Sequence, residues 1–194
     1  MRYFQTIHRV GLSAEILALA EAFAQKVTPT VGTNGCGYQD SHQTDLAKIR
    51  QDHYVSKVGE AAVAIVFQYC GRQVQGPDYG IYHGRQKSWD ADLYIDNIPL
   101  AVKTQTSTAA AKYGLSWTFQ AGKYRQDPIL ATATAWVCFV EFNAGSNQEP
   151  KPGLGWCDVY PPYQIHELTF AAPRLAHLKD SKKVIYAEDL PYLI

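Results

Sequence analysis

The sequence predicts an α/β fold, a mixed β-sheet of about five strands flanked by helices. Three observations carry that expectation. Residues 44–69 repeat apolar side chains at helical spacing over an unusually long stretch. Residues 89–105 alternate apolar and polar side chains on either side of Asp96-Asn97, a pair suited to a tight two-residue hairpin turn. Residues 115–120 alternate strongly, and residues 135–142 are almost continuously apolar, as a central buried strand should be.

In chain order, residues 13–27 form an amphipathic helix with Leu17, Ala20, Phe23, Ala24 and Val27 on one side, followed by a Thr- and Gly-rich loop. This helix can pack on the core, contact DNA or build a dimer interface, and its pattern does not choose among them. In the helix over 44–69, Leu46, Ile49, Val58, Ala62, Ile65 and Tyr69 recur mostly at steps of three and four. From Ala61 to Phe67 it is apolar nearly all round, which predicts burial against a sheet. Glu60 stands where the exposed part gives way to the buried part.

Residues 71–82 contain glycines and a proline that mark turns around short strands, and Asp78 reads as a turn residue or an auxiliary acid. If the hairpin loop is Asp96-Asn97 alone, position 92 lies opposite 101 and 90 opposite 103. Asp90, Asp92, Ala101 and Lys103 then share one face. Residues 104–114 read as a loop carrying Thr106, Ser107, Thr108, Lys112 and Tyr113, with Ala109-Ala110-Ala111 open to a helical turn. A short helix is expected over 128–134 and a further strand over 156–160, before the Pro161-Pro162 break.

With 194 residues and 46% apolar content the chain forms one domain with a real core. Its parts are an arm of helix and loop over 1–43, a core over 44–160 and a C-terminal extension over 161–194. No run of about twenty apolar residues is present, and the N-terminus lacks the basic-then-apolar layout of a signal peptide. A soluble, cytoplasmic protein without membrane partners is the expectation. Cys36, Cys70, Cys138 and Cys157 show no paired spacing, so neither a zinc site nor a disulfide framework is suggested.

The formal net charge is zero, which argues against nucleic-acid binding through overall basicity. Local distribution matters more. Arg85, Lys87, Lys103, Lys112, Lys123 and Arg125 fall in one stretch against Asp90, Asp92 and Asp96. Because those acids sit in the hairpin, the rest of this stretch is positive and suits phosphates, with Arg85, Lys87, Lys112, Lys123 and Arg125 as DNA contacts. Arg174, Lys179, Lys182 and Lys183 either extend that surface or are merely solvated.

Clustered carboxylates repel, and a cation is the usual remedy. Mg²⁺ suits one or two carboxylates completed by water and phosphate, with Mn²⁺ as a substitute, and a neighbouring lysine can position the attacking water. An ordinary hairpin with a solvated polar face is the alternative.

The pattern of Asp92, a turn, and an apolar-x-Val102-Lys103-Thr104 strand resembles the core of the PD-(D/E)xK nuclease superfamily, the restriction-endonuclease-like fold. The resemblance implies a metal-dependent deoxyribonuclease cutting inside DNA. Asp92, Glu60 and the backbone carbonyl of Val102 would hold Mg²⁺, with Asp90 and Asp78 as auxiliary candidates. Lys103 would serve the attacking water and Gln105 would touch phosphate or the metal's water shell. Where the family carries its second acid, this chain has Ala101, which offers no oxygen. Either it is a natural inactive relative, or the alanine is an engineered substitution; we favour the latter because the surrounding site features are kept. Very weak activity with retained DNA binding is expected, with a non-catalytic DNA- or partner-binding module of the same fold as the alternative. A homodimer would suit symmetric cutting of both strands.

Overall fold

The computed structural model describes residues 2–32, 44–82, 91–144 and 155–191. In chain order it contains β1 (His8–Gly11), α1 (Ala14–Val27), α2 (Leu46–Tyr69), β2 (Val74–Gln75), β3 (Leu93–Ile95), β4 (Ile98–Thr106), α3 (Ser107–Tyr113), β5 (Ser116–Gln120), β6 (Trp136–Asn143), β7 (Trp156–Val159), β8 (Tyr163–Gln164) and β9 (Lys182–Tyr186). The class is α/β, as the sequence predicts.

The hairpin forms in the expected register. Asp96 and Asn97 both take left-handed backbone, with φ of 48° and 65°, which suits a two-residue turn following the twist of its strands. Leu93 pairs with Leu100, Tyr94 with Pro99 and Ile95 with Ile98. Asp96 also anchors the turn from outside: its carboxylate accepts from the Tyr3 hydroxyl at 2.9 Å and from the Gln73 amide at 3.0 Å.

The strand number corrects the expectation. The main sheet has seven strands rather than about five, in the order β1-β7-β6-β4-β3-β2, with β8 pairing β6 beside β7. It is mixed because β4 and β6 run parallel while their other neighbours are antiparallel. β5, expected among the main strands, instead pairs with β9 in a separate two-stranded ribbon. Residues 1–43 contribute β1 to the sheet edge and α1 to a helix layer on α2.

Strand alternation assigns the two sheet faces. Leu100 and Val102 of β4, with Cys138, Val140 and Phe142 of β6, join Val58, Ala62 and Phe67 of α2 in one cluster. On the other face Val137 and Phe139 meet Trp117 and Phe119 of β5 and Ile185 of β9. The Trp117 ring stacks on Phe139 at 4.6 Å, and its indole N–H donates to the Val140 carbonyl at 2.9 Å. The polar end of the largest buried side chain is thereby satisfied.

Helix boundaries follow side-chain caps. Asp45 accepts from the Ala47 and Lys48 amides, so α2 starts at Leu46 rather than at 44. Leu46 and Tyr69 at its two ends are 60% and 85% exposed, so the buried stripe is shorter than the one read from spacing. The expected loop over 104–114 is the end of β4 followed by α3, because Thr106 caps the Ala109 amide and the alanine run propagates. The short helix expected over 128–134 is a 3-10 turn at Pro128–Ala131.

α2 reaches the sheet closely at one point. A Cβ added to Gly59 would lie 1.8 Å from the Thr104 Oγ1, an atom that is itself buried without a hydrogen-bond partner. Gly59→Ala is therefore expected to destabilise the fold by about 1–3 kcal/mol through overpacking, despite alanine's better helix propensity. Thr104→Ala in the same chain removes the obstructing hydroxyl and methyl and should recover most of the loss in urea denaturation; an additive double mutant would contradict this contact.

Candidate active site at the end of the hairpin

Asp92 lies just before β3, where strand pairing with β4 runs out. Its amide donates to the Leu100 carbonyl at 3.2 Å, and its carboxylate accepts from the Val102 amide at 2.8 Å. The side chain thus takes the place of a strand neighbour for a β4 donor that would otherwise be orphaned. Val102 meets Asp92 through its N–H. The carboxylate also borders an open cleft of about 330 Å³ shared with Asp78, Tyr82, Gln75 and Tyr94. Asp78 accepts from the Gly80 amide at 2.8 Å, so it is both a turn residue and a wall of this cleft.

Glu60 is 2% exposed, not at the surface where a lone helix glutamate usually sits. Its two oxygens accept from the Lys57 ammonium at 2.5 Å and the Ser56 hydroxyl at 3.1 Å. Lys57 is equally sequestered, its Nζ lying 5.1 Å from the Phe23 ring and 5.9 Å from the Tyr79 ring. Burial pushes the Glu60 carboxyl up to about 7; the Lys57 ammonium opposes the rise and the nearby Asp92 charge adds to it.

Lys103 belongs to the opposite face. β4 pairs Lys103 with Phe139 and Ala101 with Val137, the side covered by β5 and β9 rather than by α2. Its ammonium bonds Asp127 at 2.9 Å and lies 5.0 Å from the Phe119 ring. Asp127 also accepts from the Gln120 amide at 3.0 Å, closing the loop at the end of β5. Ala101 packs against the aromatic cluster of that face. Gln105 uses both ends of its amide, accepting from Ser116 N–H at 2.8 Å and donating to the Gly114 carbonyl at 3.3 Å. It straps α3 and β5 to β4.

The sequence expectation joined Asp92, Val102 and Glu60 as holders of a metal; in the structure Asp92 is bonded by the Val102 N–H, and Glu60 is engaged by Lys57 and Ser56. Asp127 and Lys57 were missed. Lys57 had a signal: a lysine three residues before a glutamate at the mouth of an all-round apolar helix. Asp127 had none, because a loop aspartate between two turns has no pattern. Asp90, Arg85 and Lys87 lie outside the described residues. Of the other basic candidates, Lys112, Lys123 and Arg125 are exposed. Lys112 stands before β5 and Lys123 after it, so a five-residue strand, roughly 17 Å, separates the two ends.

Among the described residues no group of three His, Cys, Asp or Glu side chains is gathered closely enough to hold a metal ion. No described helix is long and apolar enough to cross a membrane. The chain matches no family model, no curated protein and no solved structure.

The buried pair makes a pH-dependent prediction. Glu60's folded value lies above the ordinary carboxylate value of 4.5, so its contribution to stability is complete below that pH and is lost as pH rises through about 7. Lys57→Met removes the ammonium that holds this value down. It should cost about 3–5 kcal/mol at pH 8, where an uncompensated buried carboxylate remains, and clearly less at pH 5, where Glu60 is protonated. Urea midpoints at the two pH values measure the difference; an equal loss at both would mean the ion pair is not the cause.

Proposed function

We propose that this chain is a nuclease of restriction-endonuclease-like type whose hydrolytic site is incomplete at position 101, so that binding of a DNA phosphodiester outlasts its cleavage. The observation that carries the reading is the hairpin end: Asp92 on the lip of an open cleft, bonded to the strand that carries Lys103, with a buried glutamate, Glu60, on the helix packed against that strand. Exposed Lys112, Lys123 and Arg125 supply phosphate contacts along β5, over a length that matches about five nucleotides of one strand.

The magnesium that such a site would use does not fit the residues as they stand. Ala101 offers no oxygen, and its methyl packs among aromatics. One Glu60 oxygen is already held by Lys57 at 2.5 Å. What the residues present do is bind and orient: Asp92 fixes the head of β4, and Asp127 holds the Lys103 ammonium at the sheet face.

A second reading, a non-catalytic nucleic-acid-binding or partner-binding module, is favoured by one observation. Among the described residues, the charged groups of the candidate site already have internal partners: Glu60 with Lys57, Lys103 with Asp127, and Asp92 with the Val102 amide.

Cleavage separates the two. The native chain, Ala101→Glu and Ala101→Glu/Asp92→Asn are compared on supercoiled, linear, single-stranded and branched DNA, with RNA alongside, in Mg²⁺ and in Mn²⁺. The native chain should cut barely or not at all. Cleavage by Ala101→Glu above the level of that chain supports the incomplete-site reading. The added Asp92→Asn change should abolish the gain. DNA binding without cleavage by any variant, all folded by circular dichroism, selects the non-catalytic module.

A further inference from the structure

The turn that follows β5 offers Lys123 and Arg125 to the proposed phosphate contacts, but that reading gives its aromatic ring no part. Ala121 bridges Gln126, and between them Gly122, Lys123, Tyr124 and Arg125 form the tip. Tyr124 is 93% exposed, more than any other large apolar side chain among the described residues, and its ring has the Lys123 ammonium at 5.4 Å. A single exposed aromatic is ordinary on a protein surface. Its setting is not. The facing segment brings Ser181 to the same end of the ribbon, with Lys179 and Asp180 just before it and Lys183, opposite Phe119 and with its ammonium 6.0 Å from the Phe170 ring, just after it: the Ala121 amide donates to the Ser181 carbonyl at 2.9 Å, and a Cβ on Gly122 would lie 3.3 Å from the Ser181 Cα.

The tip is also held firmly. Asp127 closes its base by donating from its amide to the Gln120 carbonyl at 2.9 Å and accepting the Gln120 amide on its side chain, while the same carboxylate bonds Lys103. The base of the tip is therefore tied to the β4 strand of the candidate site.

We propose that this ribbon tip binds a single-stranded segment of nucleic acid, one base stacking on the Tyr124 ring and the flanking phosphates meeting Lys123, Lys179 and Lys183. The chemistry selects an unpaired base. A lone ring on a two-stranded turn offers one stacking face, which a base inside a duplex cannot reach, and cations on both sides follow a backbone rather than read base edges. The inference rests on the proposed function in that both require contact with nucleic acid, and it goes further in naming the element and the strandedness.

The test is binding, in EDTA, of a labelled oligothymidylate and of its duplex with oligoadenylate to the full chain, to Tyr124→Ala, to Tyr124→Phe and to Lys123→Ala. Single strands should bind more tightly than duplex. Tyr124→Ala should weaken that binding by about ten-fold or more, Tyr124→Phe should keep it, and Lys123→Ala should flatten the salt dependence by about 0.7 in log–log slope. Tyr124 is too exposed for its loss to unfold the chain, and circular dichroism checks this. If the native chain binds but Tyr124→Ala binds equally well, the tip assignment is overturned while the proposed function stands. If neither strand form binds and Ala101→Glu cuts nothing, both fall. If Tyr124→Ala loses adsorption to phosphatidylserine vesicles while the native chain ignores oligonucleotides, the tip is a membrane contact and the inference is wrong.

Discussion

Asp96 and Asn97 hold backbone angles that few residues adopt, and the register they impose on β3 and β4 decides which side chains in this protein can meet. With Leu93 opposite Leu100, the odd and even positions of β4 have fixed destinations. Leu100, Val102 and Thr104 go to the helix layer, and Ala101, Lys103 and Gln105 go to the ribbon. A slip of one residue would exchange these sets, sending an ammonium into the apolar contact with α2 and valine toward Asp127. Tyr3, the Gln73 amide and Arg72, all directed at the Asp96 carboxylate, tie the turn to the N-terminal segment and to the end of α2.

The helix layer then faces an electrostatic problem of its own. α2 carries two charged residues into the core, and neither is tolerable alone. Lys57 and Glu60 neutralise each other one turn apart, Ser56 fills a remaining acceptor position, and the rings of Phe23 and Tyr79 surround the ammonium. α1 contributes Phe23, so the charge pair draws both helices into one arrangement. A buried pair of this kind adds little net stability over an apolar one. Its effect is to fix which faces of α1 and α2 meet.

What the sequence disclosed is what has a period. The long helix and the hairpin were legible because 3.6- and 2-residue repeats persist over many positions and the turn has a two-residue signature. The central strand at Trp136–Asn143 was legible through its apolar run. β1, β8 and β9 escaped because they are two to five residues long and owe their strand state to partners far along the chain, as Tyr186 does to Ser116. Within the candidate site, Asp92 was legible from the hairpin register and Glu60 from its place where the helix turns apolar all round. The face on which Lys103 finds its partner was not, since Asp127 reaches it only through the ribbon that long-range pairing creates.

The outermost strands of the sheet are short: β2 has two residues, and β1 has four with an Arg9–Asp158 ion pair laid across it. Such edges give another chain little backbone to pair with, a common safeguard against indefinite edge-to-edge growth. If two copies of this protein associate, symmetry would more readily operate through helix or ribbon surfaces than through a continuous intermolecular sheet.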